Sequence, residues 1–305
     1  MQLNGVTIGI PLFNEVRHIE AAIHSAAGQC EALVISDNGS EDGSSTICQK
    51  VCGEYQHATY IRHSSNQGSS FNFHFLLERA RTPYFMWLGG HDLIPEMYVA
   101  RLRHALHARP DAVLAYGTAR HIDATGLQIA QYGYDYHRLL SADSPTVRLL
   151  GLIRFLSDCS LIHGVFRTSA IQSAWTNEQC LGADHVLLAK AALIGTFIYV
   201  PESYLLRRTV RTGDTPEAQL LRVRGSASMN TPPSYAPMQR MLYALAIETA
   251  QEQGWSGLET RLKARYFLTR RFGPFAETLV GRKLEHLALS VISTTRTASR
   301  LIRSR

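Results

Sequence analysis

Three observations predict an α/β fold, a mostly parallel sheet flanked by helices, for this chain. Short apolar runs alternate with helical patterns through its first half. Four polar clusters fall at consecutive strand ends. The composition, 45% hydrophobic with a mean hydropathy of -0.09, is that of an ordinary globular protein. Repeated strand–helix units argue for parallel pairing with helices on both faces. With 305 residues the chain can build one large α/β domain or two small ones.

The elements follow in order. Val6-Thr7-Ile8-Gly9-Ile10 is a first strand, and Pro11 to Glu15 a turn. Ile19, Ala22, Ile23 and Ala26 at helical spacing predict a helix from about His18 to Ala27. Ala32 to Ser36 is a second strand, followed by the turn Asp37-Asn38-Gly39-Ser40 and a helix over Ser44–Val51. Thr59 to Arg62 is a third strand; Asn66-Gln67-Gly68 turns into a helix over Ser69–Arg81, which stops before Pro83. Tyr84-Phe85-Met86-Trp87-Leu88 reads as a buried strand ending in Gly89-Gly90-His91-Asp92, with Pro95 opening the next helix. Ala112 to Tyr116 is another strand, and Arg120 to Leu127 resembles a hairpin turn. Helices near Ser144–Ser157 and Asp184–Leu193 and a strand at Thr196–Val200 complete the α/β part. Beyond about Gly225 strand patterns cease and helix is expected, after a Ser/Thr/Pro-rich linker over Ser226–Pro237.

Composition excludes several classes. No apolar run approaches the ~20 residues that span a bilayer. The chain enters a strand almost at once, so no signal peptide is expected. Its five cysteines are odd in number and scattered, which speaks against a disulfide framework and for a reducing, cytoplasmic setting. The thirteen histidines form no spaced metal set. The net charge of +6 is uneven: Arg261 to Arg305 holds eleven Lys/Arg against two acids, +9, leaving 6 − 9 = −3 for the rest. A neutral-to-acidic body with a basic tail suggests an anionic surface as partner. No nucleic-acid motif accompanies the tail, so no nucleic-acid partner is expected; a solvated helical cap is the simplest alternative.

The polar clusters are Pro11–Glu15, Ser36–Ser44, Asn66–Gly68 with Asn72 beyond it, and Gly89–Asp92. Each alone reads as a turn, since Asn, Asp and Gly populate turns for conformational reasons. Together they line the carboxyl edge of the sheet, where open α/β folds bind ligands. Asp92 at a strand end has the chemistry to hold Mg²⁺ or Mn²⁺ against a diphosphate, or else caps the following helix. The aromatic run Phe71-Asn72-Phe73-His74-Phe75 reads as packing.

These motifs resemble family 2 glycosyltransferases of the GT-A, nucleotide-diphospho-sugar transferase fold, whose sheet is Rossmann-like. Pro11, Asn14 and Glu15 match the family's Pro-x-x-Asn-Glu stretch. Ile35 to Gly43 matches its Val-Asp-Asp-Gly-Ser-x-Asp-Gly turn, and Asn66 with Gly68 its Asn-x-Gly turn. The resemblance covers about Val6 to Arg211. It implies that Pro11, Asn14 and Glu15 lie beside the nucleotide, that Asp37 accepts a hydrogen bond from the base, and that backbone at Asn66 and Gly68 passes close to it. Asp92 matches the last carboxylate of the family's metal motif, but Gly89 and His91 replace the two earlier acids. Gly90 and His91 would then lie at the diphosphate, with His91 as a second ligand to Mn²⁺ or a phosphate contact.

In the second half, Leu181-Gly182-Ala183-Asp184-His185 resembles the family's Glu-Asp motif at a helix start, with Ala183 in place of the Glu. That makes Asp184 the expected catalytic base, or a helix cap on the simpler reading. Asp158 to Arg167 resembles the acceptor-side segment, and Tyr199 to Arg208 the segment whose arginine approaches the diphosphate, with Arg208 or Arg211 in that role. The implied organisation is a transferase domain over 1–225, with a nucleotide-sugar half over 1–117 and an acceptor half over 118–225. A basic helical extension over 226–305 follows. The implied function is inverting transfer of a sugar, from a donor expected to be a UDP-sugar, to a hydroxyl of a glycan or lipid-linked acceptor in surface polysaccharide synthesis, at the inner face of the plasma membrane. The alternatives are a degenerate nucleotide-sugar-binding protein and a sugar nucleotidyltransferase. The latter would show a glycine-rich basic loop after the first strand, which Ile10 to Glu15 is not.

Overall fold

Alternating elements do build one mixed sheet in the computed structural model, which describes residues 5–131, 137–156, 159–209, 222–225, 234–254 and 257–273. In the first half, β1 (Val6–Leu12), β2 (Ala32–Asp37), β3 (Ala58–Arg62) and β4 (Tyr84–Trp87) are separated by α1 (Ile19–Ala27), α2 (Ser44–Cys52) and α3 (Ser69–Arg79). α4 (Tyr98–Ala108), β5 (Ala112–Ile122), β6 (Gln128–Gln131), α5 (His137–Leu140) and α6 (Pro145–Phe155) follow. A 3₁₀ turn over Ser160–His163, β7 (Val165–Arg167), α7 (Thr168–Ala174), α8 (Ala183–Ile194) and β8 (Thr196–Arg208) complete the sheet region. Two last helices are α9 (Ala236–Glu252) and α10 (Gly257–Phe272).

The strand order is β3-β2-β1-β4-β7-β5-β6, with β8 pairing β5. The first four strands are parallel, as their crossover helices require. β7 enters antiparallel between β4 and β5, which the alternation did not foretell. Central strands covered on both faces read as continuous apolar runs, and Ile8, Ile10 and Leu12 are fully buried. Each such side chain contributes about 1.5–3 kcal/mol of burial. Helices α1, α2 and α4 cover one face of the sheet, and α3, α6, α7 and α8 the other. Leu149, Ile153, Val186 and Ala189 form a third core with Met238, Leu242, Ala264 and Leu268, so α9 and α10 pack on α6 and α8.

Three local expectations change. Helix α4 starts at Tyr98 behind Met97 in the left-handed region (φ 66), so neither Pro95 nor Asp92 opens or caps it. Asp92 instead reaches across the sheet edge to β8. β8 runs on to Arg208 because β5 extends to Ile122 and offers it partners, with register shifts along the way. Asp184 is not a cap either: Gly182 (φ 78) holds that position with no side-chain bond. The aromatics of α3 do pack: Phe73 lies against Trp87, and Phe71 and Phe75 flank His63. Asp158, Arg211, most of the 226–237 linker and the basic tail beyond 273 lie outside the described residues. Among the described residues no helix is long and apolar enough to cross a membrane.

Candidate active site

The strand-end clusters are wired to one another before any ligand is considered. Asn14 sits in the left-handed region (φ 55), which Asn tolerates better than most residues. Its N–H donates to Ser40 Oγ at 2.9 Å, and its Oδ1 accepts from Glu41 N at 3.0 Å. Glu15 N donates to Ser44 Oγ at 3.0 Å and Val16 N to Asp42 Oδ2 at 2.9 Å. The second and third clusters join through Asn38, which donates to Asn66 Oδ1 at 2.8 Å and Gly68 O at 3.0 Å and accepts from Gln67 N at 3.0 Å. Pro11 pairs with Ser36 inside the sheet.

Asp37 is fully buried, with Ser40 N donating to Oδ1 at 2.8 Å, Tyr60 Oη to Oδ2 at 2.6 Å, and Arg62 Nε 3.7 Å away. It braces the edge from beneath rather than presenting a bare carboxylate to a base. Burial and this hydrogen bond push the Tyr60 hydroxyl pKa well above the usual range. Gly68 (φ 88) lies under backbone: a Cβ there would stand 2.3 Å from Val223 O. Residues 222–225 thus cross directly over the Asn66–Gly68 turn.

The fourth cluster is held from β8. Asp92, 1% exposed, accepts from Arg208 N at 2.8 Å through Oδ1, and its Oδ2 lies 3.8 Å from His163 Nε2. A Cβ on Gly89 would approach Asp92 Oδ2 to 2.6 Å, so a side chain at that position would have to displace the Asp92 carboxylate. His91 Nδ1 meets Glu15 Oε1 at 3.0 Å, and its Nε2 is 3.8 Å from Asp92 Oδ1. Gly90 lets Glu15 Cγ approach to 3.6 Å from where its Cβ would be. Arg208 is committed elsewhere: its guanidinium donates to the carbonyls of His91, Asp123 and Ala124 at 3.0, 2.7 and 3.0 Å.

A divalent cation of the kind the motif implies would be held here by one carboxylate, Asp92, with the His91 imidazole beside it. A hard cation is commonly held by one or two carboxylates with phosphate oxygens and water completing its shell, so this donor set fits one. Imidazole favours Mn²⁺ over Mg²⁺.

On the other side a cleft of about 500 Å³ is lined by Asp184, His163, Trp175, Arg207 and Arg222 among others. Asp184 is the second residue of α8 and its side chain is 43% exposed. Partial burial raises its pKa, but hydrogen bonds from His185 and Cys159 and the His185 charge outweigh this and hold it at about 2. His163, buried, bonds Trp87 O through Nδ1 at 3.0 Å and lines this cleft while facing Asp92. Arg207 lines the cleft and donates to Ser160 Oγ at 2.7 Å; Arg208, the neighbour that the resemblance singled out, does not line it. Successive residues of a strand point to opposite faces, which is why the two adjacent arginines part here. His163 and Arg207 lay within segments that the resemblance marked, but no spacing singled them out.

The family model for glycosyl transferase family 2 matches residues 7–166. No curated protein sequence matches the chain. Among solved structures, S. aureus TarS 1-349 in complex with UDP-GlcNAc is similar at a TM-score of 0.60 and 16% identity, over 88% of this chain and 72% of that one. The same protein in complex with UDP gives 0.56 and 15%, over 94% and 87%. These likenesses show a GT-A fold.

Proposed function

We propose that this chain, which belongs to glycosyl transferase family 2, is an inverting transferase. It moves a sugar from a nucleotide-diphosphate donor, a UDP-sugar, to a hydroxyl of a glycan or lipid-linked acceptor. One observation carries the reading: His163 faces Asp92 on one side and the Asp184-lined cleft on the other. A buried imidazole beside the proposed donor-side carboxylate thus opens onto the cleft that the proposed acceptor-side carboxylate lines. The UDP and UDP-GlcNAc complexes of the TarS structures support a nucleotide-sugar donor.

The wired loops carrying Pro11, Asn14, Glu15, Asp37, Asn66 and Gly68 form the nucleotide slot, and Gly90 and His91 approach the diphosphate. Asp37 acts by fixing this edge through Ser40 and Tyr60. Asp184 takes the proton of the acceptor hydroxyl as its oxygen attacks the anomeric carbon and the bond to the diphosphate breaks. Asp92, with His91, would hold a divalent cation whose charge offsets that of the departing diphosphate. Arg207 and Arg222 add positive charge on the cleft side. The buried cysteines of the described residues, none of them in a disulfide, suit a reducing, cytoplasmic setting. A glycan made for the cell surface would bring the acceptor to the inner membrane face, where the basic C-terminus could meet anionic lipid.

The test is calorimetric binding of UDP, with GDP and dTDP as controls, with and without Mn²⁺. Metal-dependent UDP binding, followed by turnover of a UDP-sugar, is the expected result. Nucleotide binding without turnover of any donor, unaltered in Asp184→Asn, would leave a degenerate sugar-nucleotide binder instead.

A further inference from the structure

We propose that Cys159, Asp184 and His185 form a site for a soft divalent cation of the zinc class, and that a cation held there silences transfer. The second half of the proposal rests on the role given above to Asp184; the first does not. No spacing in the sequence announces this site, because Cys159 immediately precedes the 3₁₀ turn and the other two lie in the first turn of α8.

Cys159 Sγ lies 3.1 Å from His185 Nδ1 and 3.6 Å from Nε2. His185 Nδ1 lies 3.2 Å from Asp184 Oδ1. One ligand atom from each of the three falls within 4.8 Å of the others, and no other such group of three occurs among the described residues. Bonds of about 2.0–2.3 Å in tetrahedral geometry set ligand atoms roughly 3.3–3.6 Å apart, so the donors already stand near the required spacing. The sulfur lies against the imidazole rather than on the axis of either nitrogen. A turn of the ring aims a lone pair at a shared centre.

Thiolate, imidazole and carboxylate together suit zinc and its neighbours rather than Mg²⁺. The backbone supports a fixed thiol: Cys159 has φ 52, a left-handed conformation that costs a non-glycine residue energy and recurs at functional positions. Cys159 and Asp184 both line the cleft, so a fourth coordination position opens onto it and the cation can exchange. On binding, the thiol proton leaves to solvent as the sulfur–metal bond forms, with no change of oxidation state. An Asp184 oxygen engaged by the cation no longer accepts the acceptor's proton.

The experiment adds Co²⁺ to the full chain and reads thiolate-to-metal charge transfer in the near ultraviolet. A band saturating at one Co²⁺ per chain, displaced by Zn²⁺, kept in Cys180→Ser and lost in Cys159→Ser, is expected. No band, or one that survives Cys159→Ser, overturns the site. Because Cys159→Ser could fail to fold, Zn²⁺ protection of Cys159 from alkylation is read by mass spectrometry in the unaltered chain; absence of protection overturns it too. In transfer assays saturating Zn²⁺ is expected to slow the unaltered enzyme about 10²-fold or more, as loss of a base does. Rapid transfer with the band present overturns the inhibitory half. Failure of the zinc-free enzyme to turn over any donor would count against the proposed function and leave the cobalt result to decide the site.

Discussion

Asp92 Oδ1 accepts the backbone N–H of Arg208 at 2.8 Å, a bond between residues 116 apart in sequence. It ties the end of β4 to the end of β8 and gives Asp92 a structural task beside its proposed one. Asp92→Asn keeps the shape and one acceptor oxygen, so melting should change little while metal-dependent UDP binding disappears. Asp92→Ala leaves a buried N–H unpaired and should also lower stability by about 1–3 kcal/mol. Calorimetry and thermal melting on both variants separate the two tasks.

Asp184→Asn retains volume and removes the proposed proton acceptor. Transfer should slow by about 10²–10⁴. Donor KM and melting temperature should stay near those of the unaltered chain, and steady-state kinetics at saturating donor reads this directly.

Gly68→Ala puts a Cβ where Val223 O already stands, at a φ of 88 that side chains avoid. Lifting residues 222–225 or straining the turn should cost about 1–3 kcal/mol. UDP affinity should fall with it, because the Asn38–Asn66–Gly68 network borders the proposed nucleotide slot. Equilibrium denaturation and UDP titration check this; an unchanged affinity would remove Gly68 from the slot.

Asp111 gives an acid-sensitive contact away from the site. Arg109 grips both carboxylate oxygens at 3.0 and 2.9 Å and Thr196 Oγ1 adds a bond at 2.8 Å, holding the carboxyl well below the usual range. A depressed folded-state pKa contributes stability that is complete above the unfolded value of about 3.9 and is lost as pH falls through the folded one. With its side chain 52% exposed the contribution is small. Asp111→Asn should melt about 1–3 °C lower at neutral pH, and the gap should close in strong acid.

Arg208→Ala should be more harmful than Arg207→Ala to folding and less harmful to acceptor-side chemistry. Arg208 holds three backbone carbonyls, whereas Arg207 lines the cleft. Melting temperature against kcat for the two variants decides it.

The strand–helix units through α4 were legible because apolar periodicity and turn residues are local signals, and the boundaries of β1, α1, β2 and α2 differ by a residue or two from those expected. The mixed character of the sheet was not legible. β7 is three residues long, and its antiparallel place between β4 and β5 depends on partners distant in sequence. The length of β8 likewise follows from β5, not from its own pattern.

Residue types and strand-end positions in the sequence by themselves determined the class of fold, the edge at which the polar clusters gather and the family to which the chain belongs, since these rest on short-range periodicity and contiguous motifs. Only the tertiary structure decided which polar groups are spent on one another. Asp37 is buried beneath Tyr60, Arg208 is bound to carbonyls, and His163 stands between Asp92 and the cleft. Cys159 meets Asp184 and His185 there as well. A side chain's neighbours are set by how separate elements pack, and that packing brings together residues whose spacing along the chain carries no sign of it.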